Sequence, residues 1–399
     1  LVTIRFMPLQ SSFRQTGVTA AFLSKTLLSA VMAAALFAPA AWGTECLVYF
    51  GTFTDGKGVY ASWLDLDNGK LTAPQLAAPL ATPSSVAMSP DGRYLYAVSH
   101  GPAGDFVESF AIDGQMGTLK LLDKKAADGV EPCYVGVDAA GRNLFTADYV
   151  SGTVKSFHAK PDGTLVDGTV IQHHGSSVNL DRQKSAHAHC FVSAPGGRFA
   201  LACDLGMDKV MIYKVNTANA ALTPNDPPYA VLSPGSGPRH LAFSPDGKRV
   251  CVISEMACTV TVFNWDGLNG TLTPQQTVPL LPPGVYQNTF TAAEIAYSAD
   301  GKYVYATVRG PIAPGANTIS VLAVDPQSGN LSLIQNISCN GNFPRGMGID
   351  PSGRWLLIGN QKSGTITEFS INAKTGKLAP TSQTLDVTSA VDVKFAPIQ

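Results

Sequence analysis

Apolar residues in this chain come in short β-prone runs separated by polar turns, and the stretch GSGPRHLAFSPDGKRVCVISE, Gly235–Glu255, gives the pattern in its simplest form. HLAFS and RVCVIS read as strands. SPDGK between them reads as a turn, because Pro presets φ, Asp bonds its own backbone and Gly accepts a positive φ. The predicted hairpin returns Glu255 to the end from which Arg239 and His240 depart.

The same unit recurs as MSPDGRYLYAVSH, VDAAGRNLFTADY, SAPGGRFALACD, FSPDGKRVCVISE, YSADGKYVYATVR and DPSGRWLLIGNQ. Its turn glycines are Gly92, Gly141, Gly197, Gly247, Gly301 and Gly353, about 50 residues apart. A second marker, a polar turn followed by Leu and another short strand, ends at Leu71, Leu119, Leu165, Leu222, Leu272, Leu331 and Leu378. The second marker therefore occurs once more than the first. A ring resolves the mismatch. Each repeat reads as four strands, a (HLAFS), b (RVCVIS), c (TVTVFNW) and d after the Leu. The N-terminal CLVYFGTF, GVYASWLDL and KLTAPQL supply b, c and d without an a, and the C-terminal AVDVKFAPIQ supplies an a without a b. The expected fold is all-β: a seven-bladed β-propeller of four-stranded blades, closed by the C-terminal strand joining the N-terminal strands. Closure removes the open edge that a linear array would leave. The GH…WD signature of the WD40 class is not present.

Composition narrows the function. The chain has 399 residues, 45% hydrophobic and 14% charged, with a formal net charge of −1, so a large core is available and the disordered class is excluded. Near-neutrality argues against nucleic acid or an anionic membrane as partner, since both demand a basic face. Residues 1–43 read as a secretory signal peptide: Arg5, Arg14 and Lys25 precede the apolar run Leu27–Ala41, and small residues follow. Residues 44–399 are expected to form one propeller domain, periplasmic or secreted, with no later segment able to cross a bilayer. The seven cysteines have no CxxC spacing and read as small buried hydrophobes. Cys190 and Cys203, which flank the SAPGGR turn, are the one disulfide candidate. No Gly-rich phosphate loop and no nucleophilic Ser elbow appears, and no metal or cofactor is expected.

In a propeller, strand a lines the central channel, so residues just before a and just after b meet on the face opposite the a→b turns. The pre-a positions hold Ser84–Ser85, Pro132–Cys133, His187 and His189, Arg239 and His240, Glu294, Arg345 and Asp392. The post-b positions hold Thr52, His100, Asp148, Asp204, Glu255, Arg309, and Asn360 with Gln361. Most of this ring is ionisable, which suits a small anionic or polar ligand. Arg can hold a carboxylate or an oxyanion, and His or Glu beside it can move protons. Arg345 has a second reading as a tie between blades through backbone carbonyls, with Glu294 as its partner. The A-H-A-H alternation puts the rings of His187 and His189 on one side of an extended segment.

The motifs YFGTFTDGKGVYASWLDLDNGKL, SAHAHC, GPRHLAFSPDGK, AAEIAYSADGKYVYATVRG, FPRGMGIDPSGRWLLIGNQ and TGKLAP resemble the seven-bladed lactonase family, which includes propeller-type 6-phosphogluconolactonases and carboxy-muconate cyclases. The resemblance runs from Val48 to Ala396. It implies a metal-independent enzyme that opens or closes a lactone ring, with a His, two Arg and a Glu at the channel mouth. The matching positions are the His187/His189 pair, Arg239, Glu255 and Arg309; either histidine fits the match, His189 is taken with Arg239, Glu255 and Arg309 as the catalytic set, and His187, Glu294 and Arg345 are the substrate-binding candidates. YAVSH ends in His100 where the family more often has Asn-Glu, so that corner of the mouth differs. The expected partner is a small lactone. A signal peptide favours an unphosphorylated aldonolactone over a phosphorylated one, and glutamate or histidine is expected to activate water.

Overall fold

The computed structural model describes residues 45–282, 284–285, 289–311 and 315–397. The N-terminal segment read as a signal peptide lies outside them. Among the described residues the strands group into seven four-stranded antiparallel sheets, each in the order a-b-c-d from the axis outward. Blades 2 to 7 span residues 86–126, 132–172, 188–231, 238–279, 291–338 and 344–386. Blade 1 is composite: Ala390–Phe395 pairs with Glu45–Thr52, placing Val48 opposite Phe395 and Phe50 opposite Val393. The ring closes as the marker mismatch requires.

Local chemistry sets the turns. The six a→b turn glycines, Gly92, Gly141, Gly197, Gly247, Gly301 and Gly353, all hold φ between 67 and 71°, where a Cβ would clash with the following carbonyl. Apolar residues alternate so that neighbouring blades bury each other's faces. Phe145 and Ala147 of blade 3 pack on Phe191, Ala202 and Tyr213 of blade 4, and Val48, Phe50 and Val393 of blade 1 pack on Leu357 and Ile366 of blade 7. Each phenylalanine so buried contributes roughly 1.5–3 kcal/mol.

The conserved spacing of the Leu marker has a structural meaning. In five of the seven markers the amide of that Leu donates to a side chain of the preceding blade's outer strand: Leu165 to Asp123 Oδ2 (2.8 Å), Leu222 to Thr169 Oγ1 (3.0 Å), Leu331 to Gln276 Oε1 (2.7 Å) and Leu378 to Gln335 Oε1 (2.7 Å). Leu71 completes the circle by donating to Gln383 Oε1 at 2.9 Å. Cys190 and Cys203 are direct cross-strand partners, yet both thiols are free, so the pair is a packed contact and not a disulfide.

Candidate active site

Six of the seven innermost strands bulge near their starts, the exception being that of blade 2, which pairs in unbroken register. The register with strand b skips Cys133 in blade 3, His189 in blade 4, Arg239 in blade 5, Ala293 and Glu294 in blade 6, Arg345 in blade 7 and Val391 in blade 1. A bulge leaves one residue unpaired and re-aims its side chain. Repeated in six of the seven blades, it turns side chains such as Cys133, His189, Arg239, Glu294 and Arg345 to the axis.

Two cavities follow along that axis. The mouth cavity, about 250 Å³, is lined by Phe53, Glu131, Cys133, Tyr149, Arg182, His189, Glu255, Arg309 and Arg345. Below it a chamber of about 210 Å³ is walled by Arg239, His240, Glu294, Asp392 and Lys394 among others, with Cys133 and Arg345 shared by both. A larger cavity of about 480 Å³ opens on the opposite face, where the a→b turns lie. It is bounded by Met88, Pro90, Val137, Val192, Ile349 and Phe395, with Tyr134 and Lys394 as its titratable groups. It lacks the convergent charge of the mouth, which makes the mouth the candidate site.

Glu255 is the centre of the mouth. Its Oε1 receives Arg182 Nη2 at 2.8 Å, and its Oε2 lies 2.8 Å from Arg309 Nη2 and 3.1 Å from Arg239 Nε. Burial alone would raise the Glu255 carboxyl, but Arg309, Arg239 and Arg182 outweigh it and hold it far below the carboxylate range. Glu255 is therefore permanently ionised. With three guanidiniums on its two oxygens it is placed as their anchor, and of the two water-activating candidates the sequence offered His189 is the one without such partners. The arginines are further fixed by carbonyls: Arg239 Nη1 donates to Ala293 O (2.8 Å) and Arg309 Nη2 to Ala292 O (3.0 Å).

Arg345 differs. It reaches no carboxylate, touching Gln361 Oε1 at 3.4 Å and lying 4.9 Å from the centre of the Phe53 ring. The expected tie through backbone carbonyls is made by Arg239 and Arg309 instead. Burial and the like charges of Arg239 and Arg309 pull the Arg345 pKa down, but a guanidinium starts high enough to stay charged at neutral pH. No carboxylate ion-pairs with it, and Glu255 in the same cavity offsets only part of the opposing charge.

His189 lines the mouth, is 4% exposed, and its Nδ1 is buried with no partner. Burial first, then Arg239, His240 and Arg345, push its pKa well below 6.5, so the ring is neutral at pH 7. His187 stacks on Tyr149 (4.7 Å between ring centres) and makes a 2.8 Å contact from Nδ1 to Tyr149 O. It buttresses the wall from behind and does not line the cavity. Glu294 does not meet Arg345 either. It sits in the lower chamber, 2.9 Å from His240 Nδ1.

Most post-b residues also miss the mouth, because short side chains there stay under the loops. Thr52 donates to Gly58 O, Asp204 accepts from the His187 and Gly206 amides, and Asp148 and Asn360 lie beneath Gly129 and Gly341. His100 is held by Asp105. Of the post-b residues Glu255 and Arg309 line the mouth, and Gln361 reaches Arg345 at its edge.

Arg182, Tyr149, Phe53 and Glu131 were not anticipated. Arg182 comes from the connection 173–187, the longest between blades. Asn179 Oδ1 accepts the Asp181 and Arg182 amides at 3.1 Å, and fully buried Gln183 ties the loop to Leu205 O. The excess length of that connection was the available signal. Among the described residues no group of three or more His, Cys, Asp or Glu stands together as a metal site, and no helix is long and apolar enough to cross a membrane.

A closed seven-bladed ring with an arginine-rich axial mouth defines a propeller enzyme that handles small polar or anionic molecules. Residues 47–395 match the family described as lactonase, 7-bladed beta-propeller, and the chain belongs to that family of enzymes. It is 32% identical over 354 residues to a Bacillus subtilis protein named 6-phosphogluconolactonase, covering 88% of this chain and 99% of the relative. A Formosa agariphila protein of the same name is 30% identical over 363 residues, covering 87% and 99%. Among solved structures, the Pseudomonas aeruginosa protein described as a periplasmic gluconolactonase superposes with a TM-score of 0.82 at 31% identity, covering 89% of this chain and 100% of that one.

Proposed function

We propose that this protein is a metal-independent lactonase that hydrolyses a sugar lactone outside the inner membrane. The observation that carries the reading is the union, in one 250 Å³ cavity, of a neutral buried imidazole with a guanidinium that no carboxylate ion-pairs, His189 and Arg345. His189 takes a proton from water as the water attacks the lactone carbonyl, and returns it to the ring oxygen as that bond breaks. Arg345, with the guanidinium edges of Arg309, receives the oxyanion and then the carboxylate of the opened acid. Glu255 keeps the guanidiniums in place and neutralises part of their charge.

The similarity to a periplasmic gluconolactonase, together with the basic and apolar N-terminal sequence, supports an exported enzyme acting on an unphosphorylated aldonolactone. Lactonising a tricarboxylate, as in the muconate-type reaction, would call on several free arginines, whereas Arg182, Arg239 and Arg309 already share Glu255. The test is acid release measured by pH-stat on a panel of lactones, phosphorylated and not, with and without EDTA. The expected result is aldonolactone opening above the spontaneous rate, unchanged by EDTA and lost in Arg345→Ala. Opening confined to the phosphorylated lactone, or abolished by EDTA, would overturn the corresponding part of the reading.

A further inference from the structure

The chamber beneath the mouth carries chemistry that the lactonase reading does not use. His240 is the neighbour of a bulge residue, and its ring meets that of His189 edge to face with 5.1 Å between centres. Its Nδ1 lies 2.9 Å from Glu294 Oε1. Burial would raise the Glu294 carboxyl, but His240, Lys394 and Arg239 hold it down at about 2, so it is an acceptor at neutral pH. A carboxylate there fixes the proton of neutral His240 on Nδ1 and leaves a lone pair on Nε2. That Nε2 is buried without a partner, and so is Nδ1 of His189. Two nitrogens are thus left without partners on neighbouring rings, His240 on the wall of a polar chamber of about 210 Å³ and His189 on the wall of the mouth, which shares Cys133 and Arg345 with it. Buried polar atoms of this kind are normally satisfied, and a roomy polar cavity is where a bridging water resides.

We propose that Glu294 and His240 form a proton relay that acts on His189 through one water held between the two rings, where chamber and mouth adjoin. His189 Nδ1–H donates to the water, the water donates to His240 Nε2, and His240 Nδ1–H donates to Glu294. The proposal rests on the lactonase reading for its role in turnover. When His189 Nε2 takes a proton from the attacking water, its Nδ1 proton passes to the bridging water and a proton of that water passes to His240 Nε2. The positive charge comes to rest beside Glu294. As the ring C–O bond breaks, the transfers reverse, and His189 Nε2 gives its proton to the departing oxygen. No proton is gained or lost by the relay, and His240 is a positioning residue that works through His189. The groups facing His189 are Arg239, Arg345, His240, Tyr149 and Cys133. Those facing His240 are Glu294, Arg239, Lys394, Tyr134 and His189.

The test uses the whole chain as His240→Gln and Glu294→Gln, each checked for a native melting transition, with an aldonolactone assayed across pH in mixtures of H2O and D2O. The relay predicts a curved proton inventory in the wild type that becomes linear in both variants. It predicts a fall in kcat of at least about tenfold with KM within about twofold, less than the roughly 10²–10⁴-fold a direct general base supplies. Wild-type kcat and curvature in both variants would overturn it, as would losses shared by KM and kcat with the curvature intact. A second arm needs no turnover: ¹⁵N-histidine spectra of the free protein should find His240 and His189 both protonated at Nδ1, with the His189 midpoint displaced in Glu294→Gln. His189 protonated at Nε2 would overturn the relay. If no lactone is opened by the wild type, the lactonase reading fails and this arm alone judges the relay.

Discussion

Arg309 Nη2 stands 2.8 Å from Glu255 Oε2 while the same nitrogen donates to the Ala292 carbonyl at 3.0 Å. One guanidinium thereby joins the end of strand b in blade 5 to strands a and b of blade 6, and the carboxylate it holds is shared with Arg182 and Arg239. Glu255→Gln removes the anion and leaves three cations facing one another. Breaking a buried ion pair from one side costs roughly 3–5 kcal/mol. The expected outcome is a fall of about 5 °C or more in the melting midpoint by calorimetry, with kcat/KM down by at least about 10²-fold. An unchanged midpoint would mean that carbonyl contacts alone hold the arginines.

Arg345 should behave in the opposite way. It has no carboxylate to lose, and its charge is opposed by burial and by Arg239 and Arg309. Arg345→Met is expected to leave the melting midpoint unchanged or raised, while kcat/KM falls by about 10²–10³-fold, the cost of one oxyanion donor. Loss of stability in step with activity would instead assign Arg345 a structural role.

The acid limb of the pH–rate profile reports His189. Its pKa lies below 6.5 because burial, Arg239, His240 and Arg345 all disfavour the imidazolium, so the base form survives as pH falls through 6.5. The limb in kcat/KM should therefore sit below pH 6.5. Arg345→Met removes one of the cations, relieves part of that depression, and should move the limb to higher pH. A limb that stays in place would detach it from His189.

Asp148 gives a stability prediction independent of catalysis. It is fully buried, neither oxygen has a partner, and an added Cβ at Gly129 would fall 2.1 Å from Oδ2. Burial, reinforced by Asp105, pushes its pKa up to about 8 from 3.8. Between those values the unfolded chain is ionised at this position while the native protein keeps the proton, so native stability falls as pH rises from about 4 to about 8. Asn360 occupies the matching place in blade 7, beneath Gly341. Asp148→Asn should stabilise the protein by an amount that grows over that window, on the order of a few kcal/mol above pH 8 and near zero at pH 4. A benefit independent of pH would refute the assignment.

The sequence by itself determined the ring. Strand alternation and turn chemistry are local, so Gly92 through Gly353 and the Leu markers announce each blade, and the unequal number of markers joins Ala390–Phe395 to Glu45–Thr52. It also brought His189, Glu255, Arg309 and Arg345 to one face. Only the tertiary structure decided which of the ring's charges meet. The bulges that aim His189 and Arg345 add one unpaired residue in sheet register, and Arg182 arrives on a loop that belongs to no strand. Arg239 turned out to wall the chamber, Glu294 to serve His240, and His187 to support Tyr149. Ion pairing depends on distances of a few ångströms between residues that lie dozens of positions apart, and nothing in the local pattern encodes those distances.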